Sequence, residues 1–72
     1  MKIKVSGFPD IVTTLKIDRI FSDFGTVSHV EKEHNKNVAY VTMPHNFQAL
    51  NAILSLNGTK IMGLMIEVEE CL

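Results

Sequence analysis

Residues 36–43 alternate between two kinds of side chain, and this pattern limits most strongly what the chain can fold into. Successive side chains of a β-strand point to opposite faces of its sheet. One face receives the small or apolar residues Ala39, Val41 and Met43. The other receives Lys36, Val38, Tyr40 and Thr42. The pattern predicts a central strand that presents Tyr40 on an open surface, although tyrosine is also an ordinary strand former on half-buried sheets.

The chain is short, so nearly every element must contribute to one core. Its 72 residues are expected to form a single domain, residues 1–72, close to the lower size limit for folding without metals or disulfides. A hydrophobic content of 46% against 21% charged residues is typical of a globular chain. No apolar run approaches the ~18 residues of a membrane span, and no membrane partner is expected.

Cysteine and charge set the expected environment. Cys71 is the only cysteine, so no internal disulfide forms and an intracellular setting, nucleus or cytoplasm, is expected. No signal peptide is visible at Met1. The net charge of −1 gives no general basic field, so any affinity for nucleic acid must be local.

The remaining periodicities predict two helices and three further strands. Strands are expected at residues 2–6, 27–33 and 64–69, the last with Leu64, Ile66 and Val68 inward. The second strand has imperfect parity at Val27, which either begins the strand or marks a bulge. A short polar connection, residues 34–37, favours an antiparallel hairpin with the central strand.

Both helices follow the spacing i, i+3, i+4, i+7. The first has Ile17, Ile20, Phe21 and Phe24, and the second has Ala49, Ala52, Ile53 and Leu56. Thr13 or Thr14 is a candidate N-cap for the first helix, and Gly25 and Gly58 are candidate stops. The order βαββαβ predicts an α+β, ferredoxin-like fold: a four-stranded antiparallel sheet with two helices packed on one face.

Several long-range features together resemble the RNA recognition motif family. They are Phe21-Ser22-Asp23-Phe24-Gly25, then Ala49-x-x-Ala52-Ile53-x-x-Leu56-Asn57-Gly58, and finally Gly63-x-x-Ile66-x-Val68. The run from Lys36 to Val41 resembles the subset of such domains that has a short connection before the central strand. The resemblance implies a module that binds single-stranded RNA on its open sheet face, where bases stack on aromatic rings and basic residues hold phosphates.

Family positions identify the candidate RNA-binding residues. Lys36 corresponds to the basic first position of the family's central-strand octamer, and Tyr40 to a base-stacking position. Val38 and Lys4 stand where the family usually has aromatic rings, so we expect moderate to weak affinity, as part of a larger protein. Lys2 and His29 complete the candidate set. Glu31, Glu67 and Glu69 are expected on the same face and would oppose phosphates or simply be solvated.

The second helix suggests an alternative function. No Asp, Glu, Lys or Arg occurs between Lys36 and Lys60. Phe47, Leu50 and Leu54 lie roughly opposite the helix's core stripe, so this helix is apolar on both sides. These residues, extended by Leu15 and by Ile11 or Val12, would form an interface with a protein partner or a second copy.

Catalysis, metals and cofactors are not expected. An acylphosphatase-like enzyme on this architecture would need an arginine aimed into an anion cradle, whereas the only arginine, Arg19, lies within the first helix near Asp18 and Asp23. His29, Glu31 and His34 do not form a metal-ligand pattern, because one lies in a turn and no fourth ligand is in view.

Overall fold

The computed structural model describes residues 1–72 and contains six strands and two helices. In chain order they are β1 (Lys2–Ser6), α1 (Thr14–Ser22), β2 (His29–Lys32), β3 (Val38–Thr42), α2 (Asn46–Leu56), β4 (Lys60–Ile61), β5 (Leu64–Met65) and β6 (Glu67–Glu70). Strands β2, β3, β1 and β6 form one antiparallel sheet in that order. The predicted α+β, ferredoxin-like fold is therefore confirmed.

The sheet is arranged around β1, which pairs with β3 on one side and β6 on the other. Helix α1 packs beside β2 and helix α2 beside β6. The loops that follow β1 and β3 carry the chain onto the same face of the sheet each time. One face of the sheet is consequently covered, and the other is open to solvent.

The core lies between the helices and the covered face and contains only hydrophobic residues. Its buried members are Ile3, Val5, Phe8, Val12, Ile17, Phe21, Ala39, Val41, Met43, Ala49, Ala52, Ile61, Ile66 and Val68. The two alanines are small and let α2 lie close to the sheet. Phe21 is the aromatic residue that α1 contributes to the core. No buried side-chain nitrogen or oxygen lacks a hydrogen-bond partner.

Local signals at the ends of α1 agree with the sequence. Thr13 is the N-cap, and its side-chain oxygen accepts a hydrogen bond from the Lys16 backbone N–H at 3.2 Å. After Ser22 the chain turns away through Gly25, whose φ of +148° is a region that glycine adopts readily. The next residue, Thr26, donates its backbone N–H to Gln48 of α2 at 2.9 Å. This contact ties the end of α1 to α2.

The last predicted strand, residues 64–69, is wrong at its start. Leu64 is exposed, and β5 pairs with β4 in a separate hairpin, not with the main sheet. Met62 and Gly63 both have positive φ, at 50° and 86°, which is the backbone of a tight two-residue hairpin turn. Ile61, on the other arm of the hairpin, is buried instead.

The other boundaries shift by one or two residues. Strand β2 begins at His29, so Val27 precedes it and no bulge is needed to explain its parity. The polar connection to β3 is an antiparallel hairpin, as predicted, with Asn35 at a φ of +62° in the turn. Phe8, in the loop that follows β1, is fully buried. No helix in the structure is both long and apolar enough to cross a membrane.

Candidate nucleic-acid interface

The open face of the sheet is built from every second residue of its four strands. Strands β1 and β3 contribute Lys2, Lys4, Ser6, Val38, Tyr40 and Thr42, while β2 and β6 contribute His29, Glu31, Glu67 and Glu69. None of these side chains is buried. Tyr40 is the only aromatic residue among them, and it lies on one of the two inner strands.

One cross-strand row contains Tyr40 and places opposite charges on its two sides. Tyr40 pairs with Glu31 of β2 and with Lys4 of β1, and Lys4 pairs in turn with Glu69 of β6. Directly opposed side chains in an antiparallel sheet have their Cβ atoms roughly 4.5–5.5 Å apart. A planar ligand on the Tyr40 ring would therefore have a carboxylate at one edge and an ammonium group at the other.

Lys2 covers the ring of Tyr40. Its Nζ atom lies 4.8 Å from the ring centroid, a cation–π contact worth about 0.5–1 kcal/mol at an exposed site. A base that stacks on this ring would take the place of the ammonium group. The displaced lysine would then be free to contact a phosphate. This new ion pair would offset the loss of the cation–π contact.

His29 and Glu31 form a pair on the same edge strand. The Nε2 atom of His29 is 3.2 Å from Oε2 of Glu31, and both side chains are exposed. Exposed pairs of this kind contribute little to stability, but the contact limits where the carboxylate points. No group of three or more histidine, cysteine, aspartate or glutamate side chains is placed to hold a metal ion.

Lys36 does not lead the exposed row of β3 as the sequence predicted. It precedes β3 by two residues and lies in the hairpin turn, where it lines a shallow depression with Asp10, Lys32 and Asn35. The turn needs the positive φ of Asn35, and the strand ladder starts only after it. Lys36 is therefore a residue of the rim and not of the open face.

Val38 occupies the position where a second ring would be expected. It pairs with Ser6, which pairs with Glu67 on the far side, so this row contains no aromatic side chain.

The model of the RNA recognition motif family matches residues 3–67 of the chain. The chain belongs to the RNA recognition motif family. Domains of this family bind RNA rather than catalyse reactions, and the open sheet face is their binding surface.

Solved structures of RNA recognition motif (RRM) domains have the same fold. The RRM domain of S. pombe Puf1 aligns with a TM-score of 0.89 at 21% identity, covering 94% of this chain and 84% of that one. The RRM3 domain of Mip6 aligns with a TM-score of 0.83 at 28% identity, covering 94% of this chain and 89% of that one. No curated protein matches the chain by sequence.

A third similar structure is an assembly. The C. elegans NONO-1 homodimer contains a region that aligns with this RRM domain at a TM-score of 0.91 and 18% identity, covering 99% of this chain and 28% of that one. The likeness at this identity concerns the fold alone.

The outer face of α2 in this RRM domain is apolar. Phe47 is 85% exposed, Leu54 79% and Leu50 42%, so all three point away from the core. Leu15, which the sequence grouped with them, is also exposed and lines a depression with Ser28, His29 and Val30 beside β2. Val12 is buried and cannot belong to any surface. Phe47, Leu50 and Leu54 together form the α2 outer face.

Sequence reasoning missed the contacts that surround Tyr40 in this RRM domain. The position of Lys2 over the ring and the opposition of Glu31 and Lys4 depend on strand register, which joins residues far apart in the chain. The only local signal was the outward parity of each residue. That parity predicted the face but not the neighbours within it.

Proposed function

We propose that this RRM domain binds single-stranded RNA on its open face, with one base stacked on Tyr40. The observation that carries the proposal is the position of Tyr40, partly exposed on an inner strand with Lys2 over its ring and Lys4 opposite it. A ring supplies stacking energy, and the two lysines supply charge for the phosphates on either side of the stacked base. His29 lies next to this row and is available to a neighbouring base.

The proposed affinity is moderate to weak. Each base stacked on an aromatic side chain contributes roughly 1–3 kcal/mol, and Val38 and Lys4 remove two such platforms. Glu31, Glu67 and Glu69 also lie on the open face and repel phosphates. We therefore propose that the domain acts within a larger protein, where further binding modules raise the effective affinity.

The decisive experiment is a two-dimensional NMR titration with short single-stranded RNA, combined with a Tyr40→Ala variant. We expect the resonances of β1 and β3 to shift, and we expect Tyr40→Ala to weaken binding by roughly 1–3 kcal/mol because the stacking platform is lost. Phe47→Ala is the matched control, since it removes an exposed aromatic ring from the opposite side of the domain. Equal affinity of wild type and Tyr40→Ala would contradict the proposed site.

A second candidate function is self-association through the α2 outer face. We propose a second copy of the chain as the occupant because the segment between Lys36 and Lys60 contains no Asp, Glu, Lys or Arg. Two such faces can meet around a two-fold axis without like charges opposing one another. The NONO-1 structure, a homodimer, is an example of association by chains that contain this fold. This function does not compete with RNA binding, because α2 and the open face lie on opposite sides of the sheet.

A further inference from the structure

The row that contains Tyr40 has different chemistry at its two ends. Glu31 is the direct cross-strand partner of Tyr40 on β2, and Lys4 is its partner on β1. Directly opposed residues have their Cβ atoms roughly 4.5–5.5 Å apart, and both neighbouring side chains are long, so they can reach the edges of a base that stacks on the Tyr40 ring. Its edges would then meet an acceptor on one side and a donor on the other.

Glu31 can accept hydrogen bonds but cannot donate them. An ionised carboxylate has only acceptor oxygens, whereas the lysine ammonium group has only donors. The contact between Oε2 of Glu31 and Nε2 of His29, at 3.2 Å, occupies one carboxylate oxygen and leaves the other available. His29 would therefore act as a positioning residue, because its contact fixes the direction of the free carboxylate oxygen of Glu31.

Two pyrimidines of equal ring size differ in how they fit this arrangement. Cytosine carries an exocyclic amine, which is a donor, next to an acceptor ring nitrogen and a carbonyl oxygen. Uracil carries two carbonyl oxygens on either side of a ring N–H. Carboxylate side chains pair with the cytosine amine in known nucleic-acid complexes. Uracil has a carbonyl oxygen at the position of the cytosine amine, and this acceptor would be repelled by the carboxylate. The one N–H donor of uracil lies between two carbonyl oxygens, so a carboxylate that accepts from it is repelled by both.

We propose that Glu31 is a specificity-determining residue, which accepts a hydrogen bond from the exocyclic amine of the base on Tyr40 and so makes the domain prefer cytosine to uracil. This inference rests on the proposed RNA-binding function. It assigns a role to a residue that would otherwise only repel phosphates. Glu69 carries the same charge on the same face but pairs with Lys4 and not with Tyr40, which makes it a matched control.

The test compares the affinities of short cytidine and uridine oligomers for the wild type, Glu31→Gln and Glu69→Gln, measured by fluorescence anisotropy. We expect the wild type to prefer cytidine by about tenfold, the value of one good charged hydrogen bond. A glutamine amide can both donate and accept hydrogen bonds, so Glu31→Gln should reduce the preference to about twofold or less. Glu69→Gln should raise both affinities by the same factor, because it only removes repulsion, and should leave the ratio unchanged.

Each alternative outcome has a separate meaning. A wild-type preference for uridine, or a ratio that Glu31→Gln and Glu69→Gln change equally, would overturn the role of Glu31 while RNA binding stands. Failure of both oligomers to shift the Tyr40 resonances would overturn the proposed function itself. His29→Ala should lower the cytidine preference by less than Glu31→Gln does, and an unchanged ratio would remove the positioning role of His29.

Discussion

Lys32 directs its charge into a loop of its own chain instead of into solvent. Its Nζ atom donates hydrogen bonds to the backbone carbonyl oxygens of Asp10, at 2.8 Å, and Val12, at 2.9 Å. It also lies 5.6 Å from the centroid of the buried Phe8 ring. This one side chain therefore holds the loop between β1 and α1 against the edge strand β2.

We expect Lys32→Met to lower the free energy of unfolding by about 1–2 kcal/mol, because the methionine keeps the apolar stem but loses both hydrogen bonds. Urea denaturation monitored by circular dichroism measures this change. Lys60→Met is the control, since Lys60 is an exposed residue on β4, and exposed substitutions usually change stability by less than about 0.5 kcal/mol. Equal effects of the two variants would show that the loop contacts contribute nothing.

Gly25 and Gly58 differ in how much space a side chain would have at each position. Both have positive φ, +148° and +82°, so a side chain at either is strained. A Cβ atom at Gly25 would also overlap the side chain of Gln48, whereas one at Gly58 would meet no atom within 4 Å. We expect Gly58→Ala to destabilise the fold by about 1–2 kcal/mol and Gly25→Ala to cost more.

The same denaturation experiment compares the two glycine variants. The additional cost of Gly25→Ala comes from displacing Gln48, which then loses its hydrogen bond with the Thr26 N–H. Gln48→Ala combined with Gly25→Ala tests this reason, since the double variant has no side-chain amide to displace. If Gly25→Ala lowered the free energy of unfolding no more than Gly58→Ala does, the contact of Gln48 with Thr26 would contribute nothing to stability.

At the scale of elements, α2 has two apolar faces with different roles. Ala49 and Ala52 are buried against the sheet, and the α2 outer face is exposed. We expect the double variant Leu50→Glu with Leu54→Glu to keep the fold and RNA binding but to lose self-association, because charges would enter the seam between two copies. Sedimentation velocity over a range of concentrations measures the association.

Ser55→Glu is the control for this prediction, because it adds a charge to an exposed polar position next to Leu54 on the same helix. It should leave the sedimentation behaviour close to that of the wild type. A wild type that stays monomeric at all concentrations, or a double variant that associates as the wild type does, would eliminate the second candidate function.

At the scale of the whole molecule, charge is nearly balanced, with a net value of −1. Only Lys2 and Lys4 on the open face and Lys36 at its rim are near the proposed RNA. Each phosphate neutralised on a single strand contributes about −0.7 to the slope of log K against log salt, so we expect a slope no steeper than about −2. Binding measured from low to high salt tests this.

Variants locate the charges that produce the slope. Lys4→Ala should flatten the salt slope by about 0.7. Lys36→Ala should change the slope less, because Lys36 lies outside the sheet. Lys16→Ala on α1 should have no effect, because α1 is on the covered side of the sheet. A much steeper slope in the wild type would place the RNA on a different surface.

Much of this molecule follows from local patterns in the chain. The 3.6-residue spacing predicted the buried faces of α1 and α2, and alternation predicted which residues of β1 and β3 face solvent, including Tyr40. These features could be predicted because burial imposes a period on side-chain polarity within each element. The outward direction of Phe47, Leu50 and Leu54 followed from the same helical geometry.

The tertiary structure decided what the local patterns do not encode. Strand order and register place Glu31 and Lys4 beside Tyr40 and bring Lys2 over its ring, although Lys2 and Tyr40 are far apart in the chain. The tight turn at Met62 and Gly63 directs Ile61, and not Leu64, into the core. Alternation is the same for any register shifted by two residues, so only packing of the whole sheet against both helices selects the neighbours that make the candidate site.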